Sequence, residues 1–174
     1  MDVKTLNLKL SKIKMIVMDV DGTMTDGTVY YSKNGEEFKR FSIRDGMGIG
    51  LLRMNGIISA IMTSEDSPIV TARANKLKID HVVLGSRNKK KDLIELGIKS
   101  GFNLEEIAFV GDDVNDIQAM QAAGFSACPN NSVLHIKEIA DYLCTQNGGD
   151  GAVREVAELI LISQNKQITL PESW

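Results

Sequence analysis

Asp19, Asp21 and Asp26 fall within eight positions of one another in the stretch MDVDGTMTDG, directly after the apolar run MIVM. A second apolar run, in EEIAFVGDDVND, also ends in carboxylates: Asp112, Asp113 and Asp116. A single Asp-x-Asp reads most simply as a cap on a turn or a helix. Its recurrence after a second apolar strand shifts the reading, because carboxylates gathered at one place repel and raise each other's pKa unless a cation intervenes. An oxygen-only cluster of this kind suits Mg²⁺, which takes a few carboxylates and carbonyls and keeps its waters for a substrate phosphate.

The elements that must position these groups follow from periodicity. Lys14 to Met18 is the pattern of a short strand buried on both faces. TVYYSKNGEEFKRFSI carries two β-rich runs around Asn34-Gly35, a strong hairpin signal, over about 28–43. DGMGIGLLRMN, from Asp45 to the stop at Asn55-Gly56, spaces Ile49, Leu52 and Arg53 as a helix does. Ile57 to Met62 predicts a second apolar strand, ending at Thr63-Ser64. A helix then runs to Leu77, with Asp66 or Ser67 as cap and Pro68 first. HVVLG predicts a third strand, KKKDLIELGIKSGF a helix burying Leu93, Ile94 and Leu96, and Asn115 to Ala123 a helix closed by Gly124. FSACP and DYLC are further short strands, and VREVAELILIS a terminal helix. QNGGDGA reads as a mobile loop, and the tail, about 162–174, as a segment that orders against a partner. Strands separated by helices of this length give an α/β fold, with a mostly parallel sheet between two helical layers. Asp19, Thr63 and Asp112 then meet in the crevice beyond the strands' carboxyl ends.

The 174 residues fit one domain, 1–174, with no visible linker or repeat. A net charge of −3 argues against nucleic acid as a partner. Two cysteines without CxxC spacing suggest neither a disulfide framework nor a zinc site, and a reducing cytoplasm is the simplest compartment. No apolar run is long enough for a membrane span, and the N-terminus lacks a signal-peptide core. His81 and His135 lack ligand spacing, Asp26 reads as a turn residue, and Lys90 and Lys91 as a solvated face.

DVDGT (Asp19–Thr23), Thr63 after IISAIM, Lys89, and GDDVND (Gly111–Asp116), in that order, resemble the four motifs of the haloacid dehalogenase superfamily of phosphotransferases. The resemblance covers Lys14 to about Leu161. It implies a Rossmann-like three-layer sandwich and a phosphohydrolase in which Asp19 is the nucleophile and Asp21 the general acid and base. Thr63 and Lys89 would hold the phosphoryl oxygens. Mg²⁺ would bridge Asp19, the Asp21 carbonyl and Asp112, while Asp113 and Asp116 orient its waters and Lys89.

The intervals between motifs leave no room for a cap domain, so a neighbouring subunit or a large substrate must close the site. TDGTVYYSKNGEEFKRFSIRDGMGI, RANKLKID and GGDGAVRE resemble the cap-less branch acting on 3-deoxy-2-keto sugar acid phosphates. That likeness implies a homotetramer with a hairpin between subunits, serving lipopolysaccharide or sialic acid biosynthesis. Arg73 and Lys76, three apart on one helix face, are candidates for the substrate carboxylate, ahead of Arg44 and Arg154. Members acting on octulosonate 8-phosphate usually read Thr-Gly-Arg at the second motif, where this chain has Thr63-Ser64-Glu65. A carboxylate there accepts hydrogen bonds from sugar hydroxyls. The first reading is therefore a nonulosonate 9-phosphate, with octulosonate 8-phosphate as the alternative. Two other classes stay open: a catalytically weak oligomerisation or regulatory domain of a sialic-acid-type synthetase, and a receiver-like phosphoacceptor.

Overall fold

Met15–Met18 (β1) is apolar at every position and wholly buried, which a strand tolerates only between two neighbours and under two layers. A computed structural model describes residues 2–170 and 172 and provides both. β1 pairs in parallel with β4 (Ile58–Met62) and β6 (Ile107–Val110), at the centre of a six-stranded sheet. β5 (His81–Val83) lies outside β4, while β7 (Phe125–Cys128) and β8 (Tyr142–Leu143) continue beyond β6, all parallel. The pleat divides β1: Ile16 and Met18 join one apolar cluster, Met15 and Val17 the other. α1 (Val3–Ser11), α2 (Ile43–Met54), α3 (Pro68–Leu77) and α7 (Ala152–Ser163) send Leu10, Leu52, Val70 and Val156 into the first. α4 (Lys89–Ser100), α5 (Ile117–Ala122) and α6 (Leu134–Ile139) send Leu93, Met120 and Ile136 into the second. The three-layer α/β architecture is the expected one. None of the described helices is long and apolar enough to cross a membrane.

The separate hairpin pairs β2 (Thr25–Ser32) with β3 (Gly35–Phe41), and among the described residues no cap domain interrupts the sheet. The hairpin starts three residues earlier than expected. Its turn is centred on Lys33 and Asn34, with Gly35 supplying the positive φ of 110° as the first residue of β3. Helix starts also shift towards their caps. Ser42 accepts from the Arg44 and Asp45 amides, so α2 begins at Ile43, before Asp45. A tight turn over Val114–Asp116, capped by Asp113, delays α5 to Ile117. Ile94, expected in the core, is 37 % exposed.

Two segments behave differently from their sequence reading. The tail does not need another chain to order: Gln164 Nε2 donates to the Leu10 and Ile13 carbonyls, Lys166 to that of Asn55, and Ile168 and Leu170 pack on the core. Pro171, Ser173 and Trp174, the rest of that expected tail, lie outside the described residues. Nor is QNGGDGA a free loop. Gly148 and Gly149 are buried, Gly148 N donating to Asn131 Oδ1 at 2.9 Å and Gly149 N to Thr23 O at 3.2 Å. A Cβ on Gly148 would overlap the Gly22 carbonyl, so backbone lies directly on backbone there.

Gly148→Ala should accordingly force the two loops apart. Overpacking of this kind costs about 1–3 kcal/mol. At roughly 2–4 °C per kcal/mol for a chain of this size, the melting midpoint should fall measurably. A midpoint identical to that of the parent would refute the buttressing contact.

Candidate active site

The central strand β1 ends at Asp19, whose amide donates to Val110 O at 2.9 Å and whose side chain is only 6 % exposed. β1 has neighbours leaving the sheet order on opposite sides, which is where parallel sheets open a crevice at their carboxyl ends. The chain then makes one wide turn over Val20–Met24, closed by Thr25 N on Val20 O. Gly22 takes φ +93° in that turn, and any Cβ on it would overlap the Asp112 carboxylate. Thr23 donates its hydroxyl to Asp112 Oδ1 at 2.9 Å, tying the first carboxylate loop to the second.

Lys89, the first residue of α4, has a side chain 2 % exposed. Its ammonium lies 2.8 Å from Asp19 Oδ1 and 2.6 Å from Asp116 Oδ1. Asp116 is fully buried, and its other oxygen accepts from the amides of Asp112 at 3.0 Å and Asp113 at 3.3 Å. Carboxylate oxygens of Asp19, Asp112 and Asp116 lie within 4.8 Å of one another. One ammonium does not offset three carboxylates. Burial, and then the charge of Asp116, push the Asp19 carboxyl up to about 7 despite Lys89. Burial and the charge of Asp19 do the same to Asp112, also to about 7. For Lys89 burial acts to lower the pKa, but the charges of Asp19 and Asp116 outweigh it and hold the ammonium firmly protonated. An all-oxygen donor set with excess negative charge, approached by the bare backbone of Gly22, fits a small divalent cation.

Thr63 directly follows β4, the strand beside β1, and is 1 % exposed. Its hydroxyl accepts from Glu65 N at 3.2 Å. Ser64 Oγ accepts from Asn115 Nδ2 at 3.2 Å, bridging the second motif to the fourth. A cavity of about 380 Å³ opens here, lined by Ser64, Arg87, Asn88, Lys89 and Asn115. Glu65 is exposed at its side of the loop. Asp113 does not share the place of Asp116: it is exposed and accepts from its own neighbour, Val114 N, at 2.7 Å.

The cations expected for a substrate carboxylate lie elsewhere in the chain. Arg73 donates to Ser42 O at 2.8 Å and sits over the Phe41 ring at 5.4 Å. With Lys76 it lines a groove of about 360 Å³ between α2 and α3, which includes Ile43, Met47 and Met54. Arg154 pairs with Glu158, and Arg44 is exposed at the start of α2. His81 meets Ser100, and His135 meets Glu138.

Lys39 and Glu36, on β3, are site residues that sequence reading missed. Lys39 Nζ lies 2.5 Å from Asp21 Oδ1 and 2.6 Å from Glu36 Oε1, with its side chain 1 % exposed. Burial acts to lower its pKa, but the bonds to Asp21 and Glu36 prevail and raise it. Glu36 in turn accepts from Ser67 Oγ at the head of α3, in place of the helix cap expected of that serine. Only the hairpin itself signals this: folding β3 back along β2 sets Lys39 opposite Val29, just after the Asp21 loop.

Comparison with known proteins agrees with this geometry. Residues 54–156 match the haloacid dehalogenase-like hydrolase family. The chain is 37 % identical over 158 residues to the 3-deoxy-D-manno-octulosonate 8-phosphate phosphatase of Haemophilus influenzae, covering 91 % of this chain and 88 % of that protein. The crystal structure of the Moraxella catarrhalis phosphatase of the same name, in complex with magnesium, phosphate and KDO, superimposes with a TM-score of 0.91. It is 40 % identical over 94 % of each chain. The cobalt-bound H. influenzae enzyme gives a TM-score of 0.88 at 37 % identity, covering 90 % of this chain and 92 % of that one.

Proposed function

The chain belongs to the haloacid dehalogenase-like hydrolase family, and we propose that it is a single-domain, Mg²⁺-dependent phosphatase of 3-deoxy-D-manno-octulosonate 8-phosphate. The observation that carries this reading is the buried Lys89 ammonium bridging Asp19 and Asp116, with the Asp112 carboxylate alongside. When bound, Mg²⁺ would be held by Asp19, the Asp21 carbonyl and Asp112, and would draw charge from the phosphoryl oxygens.

Asp19 attacks phosphorus, and the ester bond to the sugar oxygen breaks as Asp21 gives that oxygen a proton. Water then attacks the aspartyl phosphate, Asp21 takes its proton, and Asp19 leaves as inorganic phosphate forms. Lys89 and the Thr63 hydroxyl hold the phosphoryl oxygens through both steps. Asp116, rather than the exposed Asp113, keeps Lys89 aimed. Ser64 and Glu65 border the place where the sugar acid enters.

The eight-carbon acid replaces the nine-carbon acid first read from Glu65, because the relatives described above are named for the octulosonate ester and none of them supports the longer acid. Tyr30, Tyr31 and Phe38 on the hairpin and Ile43 just after it are exposed large apolar side chains, the kind of surface a homotetramer would cover. In that assembly Arg73 and Lys76 would serve a neighbour's site.

A steady-state comparison of the two sugar-acid phosphates with Mg²⁺, on protein sized by sedimentation, tests the whole reading. Higher kcat/KM on octulosonate 8-phosphate and a tetrameric mass are expected. Higher kcat/KM on the nine-carbon ester would overturn the substrate assignment, and a fully active monomer would overturn the assembly.

A further inference from the structure

Lys39 is a costly residue to bury, since an ammonium removed from water is strongly disfavoured unless good pairing offsets the lost solvation. Its two partners, Asp21 Oδ1 and Glu36 Oε1, come from different segments, the first-motif loop and the hairpin. Glu36 reaches a third segment through Ser67, at the head of α3. One chain of contacts therefore joins the Asp21 loop, the hairpin and the helix that follows Thr63. A two-stranded ribbon is marginally stable alone, and this ionic tie fastens it to the Asp21 loop and the head of α3.

The Asp21 side chain depends on this contact in turn. Asp21 sits at φ −78° and ψ 111° inside the wide turn, next to Gly22 in its left-handed conformation. Of the site's other aspartates, Asp19 and Asp116 are held by Lys89 and Asp112 by Thr23. Among the described residues, Lys39 is the side chain that holds Asp21.

Building on the proposed role of Asp21 as proton donor and acceptor, we propose that Lys39 is a positioning residue. It fixes the Asp21 carboxylate towards the leaving oxygen and makes that orientation conditional on the hairpin being seated. A misplacement of about 1 Å in a reacting group can cost roughly 100-fold in rate. Loss of the contact should therefore remove part, not all, of the roughly 10²–10⁴-fold that general acid–base catalysis contributes.

The leaving group separates positioning from mere support. An alkoxide departs only with a proton, whereas p-nitrophenolate leaves without one. Lys39→Met and Lys39→Arg are compared with the parent in single-turnover experiments with Mg²⁺, on octulosonate 8-phosphate and on p-nitrophenyl phosphate. Lys39→Met should slow cleavage of the sugar ester about 10- to 100-fold, leave the rate of nitrophenolate release within about twofold, and be rescued by Lys39→Arg. Equal slowing of both esters, or of neither, overturns the inference. Asp21→Asn serves as the control. If it slows the sugar ester and Lys39→Met does not, positioning fails while the proposed function stands; full turnover by Asp21→Asn removes the acid–base role of Asp21 and the positioning built on it. Should Lys39→Met not fold, Lys39→Gln keeps a polar side chain without the charge and is judged by the same outcomes.

Discussion

Asp19→Asn should lose phosphate release by more than about 10³-fold, the scale expected when a covalent nucleophile is removed. The expectation rests on position as well as type. The side chain is buried, at the end of the central strand, 2.8 Å from Lys89. The amide has nearly the same volume, and its oxygen can still accept from Lys89, so the fold has no reason to fail. Removing a carboxyl whose pKa burial has pushed up to about 7 also relieves charge repulsion with Asp116. The variant's melting midpoint in chelator should therefore equal or exceed the parent's at pH 8. Phosphate release and thermal unfolding on one preparation check both halves, and retained turnover would remove Asp19 from the role of nucleophile.

A second large effect joins pH to the metal. Asp19 and Asp112 have folded-state pKa values raised from the ordinary 3.8 to about 7. A raised carboxyl pKa means that the folded state holds protons which the unfolded chain has already released. Its contribution to stability is present below about pH 4 and is lost progressively as pH rises towards about 7. Chelated protein should thus melt lower at pH 8 than at pH 5.5 through these two groups. Mg²⁺ competes with the same protons, so its stabilisation should grow across that window. Saturation at about 100 times the dissociation constant corresponds to about 2.7 kcal/mol. That is a rise of roughly 5–11 °C in a chain of this length. Thermal scans with and without Mg²⁺ at both pH values measure the effect. A Mg²⁺ increment independent of pH, or one undiminished in Asp112→Asn, would show that these carboxyls are not the ligands.

Legibility in the sequence followed the range of the interactions. β1 and β6 are uninterrupted apolar runs and β4 departs from one only at Ser59, so burial on both faces needs no other signal. α1 escaped notice because Leu10 is its one fully buried residue, which leaves no stripe to read. α6 spans six residues, too few for a period to declare itself. Asp19, Asp112 and Asp116 stood out because each closes or follows an apolar strand, while the place of Lys89 was carried by the family resemblance. Lys39 did not stand out, since its importance comes from Asp21, eighteen residues earlier, and Asp21 reaches it through the folding of the hairpin. Arg73 has the charge and spacing of an anion ligand, and since within its own chain it is held by Ser42 and Phe41, an anion it serves belongs to a neighbour. Local pattern reports which groups are present; packing decides what they face.

The seating of Gly148 on Gly22 also bears on the order of events during synthesis. A nascent chain emerging as far as Asp116 would already carry Asp19, Asp21, Thr63, Lys89 and Asp112. It would still lack the backbone on which the turn after Asp19 rests, because that support arrives with Gly148 and Gly149. Contacts between segments so far apart in sequence must close a long loop before they return any stabilisation. A ribosome-bound intermediate could therefore hold every acidic group of the cluster and remain catalytically silent until the last helix docks.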